Sequence, residues 1–239
     1  MKKLNYILCI ITVVCTTACS DFLDVQPKTE IREDKMFENE SGFKEALIGC
    51  YMLMGDGTLY GKNLTVCLLD AMGGLYEMET SNSYYRASLH DYDLTEGTFS
   101  NVWLKQYNLI ANVNALLGMI EEKGEVVMHP TNYAIIKGEA LGLRAFLHFD
   151  LLRMFGWGDL KRHPENLDRL TIPYVLRYHK STTKQSTERE VLELIHADLN
   201  EAEKLLAYYD SYGPESKDES YELPNADGFY KNRRNHLNY

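Results

Sequence analysis

Three stretches of the chain repeat apolar residues at intervals of three and four, a spacing that fits a helix with one face turned to a core. From about Phe99 to Lys123 the series is Val102, Leu109, Val113, Leu117 and Ile120. From Tyr133 to Phe155 it is Ile135, Leu141, Ala145, Phe149 and Leu152, opened by Pro130 and ended by Gly156 and Gly158. A proline fits the first helical turn because its missing N–H would have no partner there. In the third, Thr187-Glu188-Arg189-Glu190 has the form of a capping box, and Val191, Leu194, Ile195, Leu199, Ala202 and Leu206 follow. Helices with a single apolar stripe cannot bury it alone and must stack on neighbours. The expected fold class is all-α, with helix pairs in a superhelical stack and long surface loops between them. Six prolines in 239 residues and the lack of alternating strand patterns agree.

The earlier part of the chain is less regular. Ser41 is expected to cap a helix running to about Met54, with Phe43, Ala46, Leu47, Cys50 and Tyr51 on one face. Leu59 to Met78 is apolar but broken at Gly61, Gly73 and Gly74, a weaker helix. Asn82 to Gly97 is polar and tyrosine-rich and is expected to be a surface loop, as is the stretch holding Pro164 and Pro173. Trp103 followed by Tyr107, and Ala140 with Phe146, resemble tetratricopeptide-like packing, although the period of about 34 residues does not appear.

The amino terminus carries a different signal. Met1-Lys2-Lys3 is positive and Leu4 to Val14 is mostly apolar, too short to span a bilayer as a helix. Residues 1–18 therefore read as a signal peptide, and Ala18 suits a peptidase that cuts before Cys19. The Cys19 thiol would then carry diacylglycerol and its freed amine a further chain. Several chains anchor stably where one binds only marginally. Thr16 stands where an aliphatic residue is usual, and plain secretion with Cys19 unmodified is the competing reading. Residues 19–37 contain Pro27 and show no helical period, so they read as an extended tether in front of a helical domain, 38–239.

Charge and side-chain inventory exclude several function classes. The net charge is −10, and more negative once Lys2 and Lys3 leave. This argues against nucleic acid and against electrostatic adhesion to anionic lipid. No later stretch approaches the ~20 apolar residues of a span, leaving the lipid as the expected membrane attachment. Cys9 and Cys15 leave with the signal; Cys50 and Cys67 read as buried free thiols, with a disulfide between them the alternative. His129, His148, His163, His179 and His196 are scattered without metal-ligand spacing, so no metal or cofactor is expected. Glu139 with Arg144, and Asp150 with Arg153, read as structural ion pairs or networks with a neighbouring helix rather than catalytic groups. No nucleophile elbow, Walker motif or dinucleotide fingerprint is present.

Five segments, in order, resemble one known family. They are Cys19-Ser-Asp-Phe-Leu-Asp24, Trp103-(x3)-Tyr107-(x2)-Ile110-Ala111-Asn112, and Gly138-Glu-Ala-Leu-Gly-Leu-Arg-Ala-Phe-Leu-His-Phe-Asp-Leu-Leu152 running into Phe155-Gly156. Ile172-Pro173-Tyr174-Val175 and Ile195-(x2)-Asp198-Leu199-(x2)-Ala202 complete the set. Together they look like the amino-terminal half of a SusD/RagB protein, the nutrient-capturing lipoproteins of Bacteroidetes outer membranes. The resemblance covers essentially the whole mature chain. It implies a tetratricopeptide-like scaffold, no catalysis, and a partner: a SusC-like TonB-dependent outer-membrane transporter on which family members sit as lids. Between lid and barrel they hold an oligosaccharide, or in some members a peptide. Ser20-Asp21 with Asp24 is similar to the acidic signal that sends such lipoproteins to the cell surface. Gly228 to Tyr239 looks like the lead into a further family helix, so the helical domain is read as truncated at its carboxyl end.

Within that family frame, glycan binding needs an aromatic face for the sugar ring and amide, carboxylate or guanidinium groups for its hydroxyls. Tyr76, Asn82, Tyr84, Tyr85 and Arg86, in or beside the polar loop, are the candidate ligand-binding residues. Packing is the competing use of those tyrosines. Two alternatives to oligosaccharide capture stay open at this level: a non-binding scaffold that only docks on the transporter, and peptide capture.

Overall fold

The computed structural model describes residues 33–207, with residues 33–34 and 94–96 described by backbone alone. The signal peptide, Cys19, most of the tether and the stretch after Ala207 lie outside the described residues. The segment up to Met36 is a unit by itself, of which the single turn α1 (Glu33–Met36) is described. That turn is helical, in contrast to the extended tether expected there. The unit from Phe37 onward is helical as expected; among the described residues its one β interaction is an isolated bridge between Leu170 and Thr187.

Helix α2 (Glu40–Met54) starts slightly earlier than expected. Asn39, not Ser41, is the cap: its Oδ1 accepts the Gly42 N–H at 3.3 Å, and the Ser41 hydroxyl donates to the same oxygen at 2.7 Å. Phe43, Leu47 and Cys50 are buried as the stripe predicts, and Phe37 packs on Phe43 with ring centroids 4.8 Å apart. The apolar stretch after it is helical only in its middle. A π-helical turn (Asn63–Cys67) leads into α3 (Leu68–Met72), which stops where Gly74 takes a φ of 67°.

The tyrosine-rich segment is not a loop throughout. It holds the short helix α4 (Tyr85–Ser88), a break at His90 with φ 55°, and then the first turns of α5 (Tyr92–Met119). Helix α5 passes through a π-helical turn (Ile120–Gly124) into α6 (Glu125–Val127). The stripe Val102, Leu109, Val113, Leu117 and Ile120 is buried along its whole length. Helix α7 (Pro130–Phe155) has Pro130 in its first turn, as expected, and His129 at the cap. A 3-10 turn (Pro164–Asp168) comes next, and α8 (Glu188–Leu206) opens with the expected box. In that box Thr187 Oγ1 accepts the Glu190 N–H at 3.3 Å, and Glu190 Oε2 accepts the Thr187 N–H at 2.7 Å.

Helices α5, α7 and α8 run antiparallel to their neighbours. Trp103 of α5 meets Phe155 of α7 edge-on at 5.0 Å, and Gln106 Nε2 donates to the Leu147 carbonyl at 3.0 Å. Gly138 of α7 faces the end of α8 so closely that a Cβ there would lie 2.7 Å from Leu206 Cγ. A side chain there would force Leu206 to shift, so the glycine lets Leu206 pack directly on the α7 backbone. Helix α2 covers the amino-terminal half of the outer face of α7: Glu40 accepts the His129 N–H at 2.7 Å, and Tyr51 donates to Glu139 at 2.8 Å. Beyond the end of α2 the Tyr60 ring packs on Phe146 at 5.2 Å, and Phe146 and Phe149 are 43% and 45% exposed. The apolar spacing of α7 places Phe149 in the core stripe, and the structure corrects it. Leu199 of α8 is likewise 46% exposed, while its neighbour Asp198 is buried.

Candidate ligand-binding surfaces

An extended strap, Thr171 to Leu176, lies across α5, α7 and α8 and is held by their side chains. Tyr107 donates to the Pro173 carbonyl at 2.8 Å and Asn114 Nδ2 to the Val175 carbonyl at 2.7 Å. Arg144 Nη1 donates to the Leu176 carbonyl at 2.9 Å. His148 Nε2 accepts the Val175 N–H at 3.0 Å, which fixes the other ring nitrogen, Nδ1, as donor to the Arg144 carbonyl at 2.8 Å. Tyr174 stacks on His148 at 3.8 Å and donates to Asp198 Oδ2 at 2.5 Å. Asp198 also takes a two-pronged contact from Arg144, Nε at 2.7 Å and Nη2 at 2.6 Å. Arg144 thus pairs with the neighbouring helix and not with Glu139. Asp150 and Arg153 pair with each other at 2.7 Å, and Tyr60 donates to Asp150 at 2.6 Å. These are scaffold contacts.

Burial drives the His148 pKa down to about 4, so the ring is neutral at ordinary pH. Burial pushes the Cys50 thiol up to about 11, which leaves it inert. Cys50 and Cys67 are both free. Among the described residues no three His, Cys, Asp or Glu side chains gather at metal-binding distance, and no helix is long and apolar enough to cross a membrane.

The residues singled out for glycan contact lie around α3 and α4. Tyr76 is 54% exposed, its hydroxyl 3.4 Å from Asp70 Oδ2. Asn82 is exposed and folds back to accept the Tyr84 N–H at 2.8 Å, a local turn. Tyr84 is half-buried, donates to Asn63 Oδ1 at 2.7 Å, and has Lys62 Nζ 5.5 Å from its ring centre. Tyr85 is half-buried at the start of α4, and exposed Arg86 sits 3.5 Å from Asp91. Backbone turns join Asn82, Tyr84 and Tyr85 locally. Among the described residues no ring contact joins Tyr76, Tyr84 and Tyr85.

Next to them is a groove of about 490 Å³ between the start of α5 and the end of α7. It is lined by Tyr92, Phe99, Trp103, Leu104, Met154 and Phe155, with Ser100. Tyr92 and Phe99 are 5.5 Å apart, and Trp103 continues to Tyr107 at 4.8 Å. This lies within the ~300–1,000 Å³ usual for ligand pockets. Sequence reading missed the groove because Phe99, Trp103 and Tyr107 repeat at helical spacing, the same signal that core packing gives. The aromatic density of that face was the available clue.

A family model described as starch-binding associating with outer membrane, SusD-like, matches residues 21–217. The chain belongs to the SusD-like family. The chain is 23% identical over 216 residues to SusD-like protein P25 of Formosa agariphila, 87% of this chain and 38% of that one. It is 24% identical to SusD-like protein P2 of the same organism, over 85% of this chain and 38% of that one. The fold matches a SusD superfamily protein from Bacteroides thetaiotaomicron with a TM-score of 0.58 at 20% identity, covering 72% of this chain and 38% of that one. A SusD-like carbohydrate binding protein from Bacteroides vulgatus gives 0.57 at 22%, covering 70% and 36%. The SusD-like chain here therefore spans about two-fifths of the length of these relatives.

Proposed function

We propose that this SusD-like chain captures oligosaccharide at the outer membrane for a SusC-type TonB-dependent transporter, held there by lipid on Cys19. The observation that carries the reading is the aromatic groove from Tyr92 to Trp103 lying beside the tyrosine loop. Ring faces suit the apolar faces of pyranose rings, and the loop supplies Arg86 and Asn82 for hydroxyls. The 53% exposed Tyr92 forms the shared rim.

The full chain, purified in detergent, is run by affinity electrophoresis through gels containing starch, laminarin or xylan. Retardation by at least one glycan is expected, and Tyr92→Ala should weaken it about tenfold, the equivalent of ~1.4 kcal/mol. Tyr92 lies at the surface, so this change leaves the core intact; Arg86→Ala probes the loop separately. Migration unaffected by every glycan, with an extended peptide library binding instead, would replace oligosaccharide by peptide. Binding of neither would leave a docking scaffold.

The anchor has its own test. Cys19→Ala should abolish labelled-lipid incorporation in cells and move the protein from the detergent phase to the aqueous phase. A mutant that partitions as the wild type does would end the lipoprotein reading.

A further inference from the structure

From Leu170 to Thr187 this acidic chain carries Arg177, Lys180 and Lys184 and no carboxylate at all. The two ends of the stretch are tied together. Thr171 N–H donates to the Ser186 carbonyl at 2.8 Å and Ser186 N–H to the Ile172 carbonyl at 3.2 Å, beside the Leu170–Thr187 bridge. The strap at its start is clamped by Arg144, Asn114 and His148. Residues 177–184 are therefore the tip of a loop whose base is fixed on the three long helices. At the tip the three cations are exposed, and among the described residues none has a carboxylate partner. Tyr178 is 59% exposed between Arg177 and His179, and the His179 ring is held by the hydroxyls of Ser181 at 3.0 Å and Thr183 at 3.3 Å.

We propose that this loop tip is a binding site for an anionic oligosaccharide, one bearing uronate or sulfate groups. The proposal rests on the glycan-capture reading and adds a second site and a charge class to it. Guanidinium and ammonium groups meet the anions, the Tyr178 face meets a ring, and Ser181 and Thr182 offer hydroxyls. A fixed base limits the ordering cost of binding, which is the general advantage of a preorganised site. The net charge of −10 repels an extended anionic surface such as a bilayer. A short ligand at the tip instead feels the local cations, because the field is screened beyond ~8 Å at physiological salt. An eight-residue tip also falls well short of the ~800 Å² per partner of a stable protein interface, so an acidic protein fits less well.

Calorimetry of the full chain in detergent compares four probes of equal length: tetragalacturonate, a carrageenan tetrasaccharide, maltotetraose and tetraglutamate. The expected result is binding of one or both anionic saccharides that weakens as salt rises. The variant Arg177→Gln/Lys180→Gln/Lys184→Gln should lose about tenfold or more in affinity. A control with the same charge change elsewhere, Lys35→Gln/Lys123→Gln/Lys204→Gln, should lose little. The carboxylate and sulfate arms decide which anion is read. Wild-type affinity in the loop variant, or an equal loss in the control, overturns the proposal. Equal binding of tetraglutamate overturns it too, since the tip would then read charge and not sugar. Maltotetraose binding as tightly as the anionic sugars sinks this inference while leaving glycan capture standing. Silence of all three saccharides, with no glycan retarding the chain in gels either, would remove both.

Discussion

Arg144→Ala is expected to destabilise the helical unit by about 3–5 kcal/mol, the usual cost of leaving one half of a buried ion pair behind. Arg144 and Asp198 are both nearly buried, with side chains 9% exposed each. Removing the guanidinium leaves the buried Asp198 carboxylate without its cation, held only by the Tyr174 hydroxyl, and strips Asn114 Oδ1 and the Leu176 carbonyl of their donor. A change of that size should lower the melting temperature by roughly 10 °C for a chain of this length. Circular dichroism at 222 nm against temperature measures it. The pair itself is a poor guide to net stability, since a well-packed apolar replacement is often neutral or better. Arg144→Met with Asp198→Leu should therefore melt closer to the wild type than Arg144→Ala does. A shift below about 2 °C in Arg144→Ala, the size of a ~1 kcal/mol effect, would mean that the network contributes little to the fold.

That network also shows where sequence reading stops. The box at Thr187 was legible because all its parts lie within four residues, and the backbone geometry of a helix start dictates their spacing. The stripes on α5 and on most of α7 were legible for the same local reason. On α8 the stripe put Leu199 inside, whereas the structure buries Asp198 and leaves Leu199 half-exposed. Periodicity ranks residues by their own polarity. It cannot know that a guanidinium 54 residues away supplies a buried carboxylate with a partner. Phe149 failed differently: it fits the spacing of the α7 stripe yet is 45% exposed, because spacing alone does not say which parts of a helix its neighbours cover.

The tyrosine segment failed for a third reason. Mostly polar residues at 93–98, with Leu94 the exception, are what both a loop and the solvated start of a long helix would show, and α5 begins at Tyr92. The same extension brings Tyr92 to Phe99 and Trp103 and so creates the groove. Candidate residues taken from the loop alone therefore omitted its aromatic neighbours. The basic tip was visible in composition as a run without carboxylates, but its fixed base was not. That base depends on side chains from three helices and on a backbone pairing across the loop.

His148 makes stability depend on pH in the mildly acid range. Burial holds its native pKa at about 4, whereas an unfolded histidine titrates near ~6.5. Between those values the unfolded chain binds a proton that the native ring refuses, so stability falls as pH falls through 6.5 and goes on falling until about 4. Below that the native ring is protonated too, and this contribution stops changing. The loss across the window is on the order of 3 kcal/mol, at 1.36 kcal/mol per unit of displaced pKa. Geometry agrees with the direction: Nε2 accepts the Val175 N–H, and a proton there would oppose two donors and break the strap's hold. The neighbouring charges, Arg144 and Asp198, act in opposite senses on the ring, which leaves burial in control. Urea unfolding at pH 7 and pH 4.5 should show the drop in the wild type. His148→Gln offers a carbonyl in place of Nε2 and carries no titratable group; it should start less stable at pH 7 yet lose clearly less between the two pH values. An identical pH slope in the two proteins would assign the acid sensitivity to carboxylates elsewhere and leave the strap's clamp indifferent to pH.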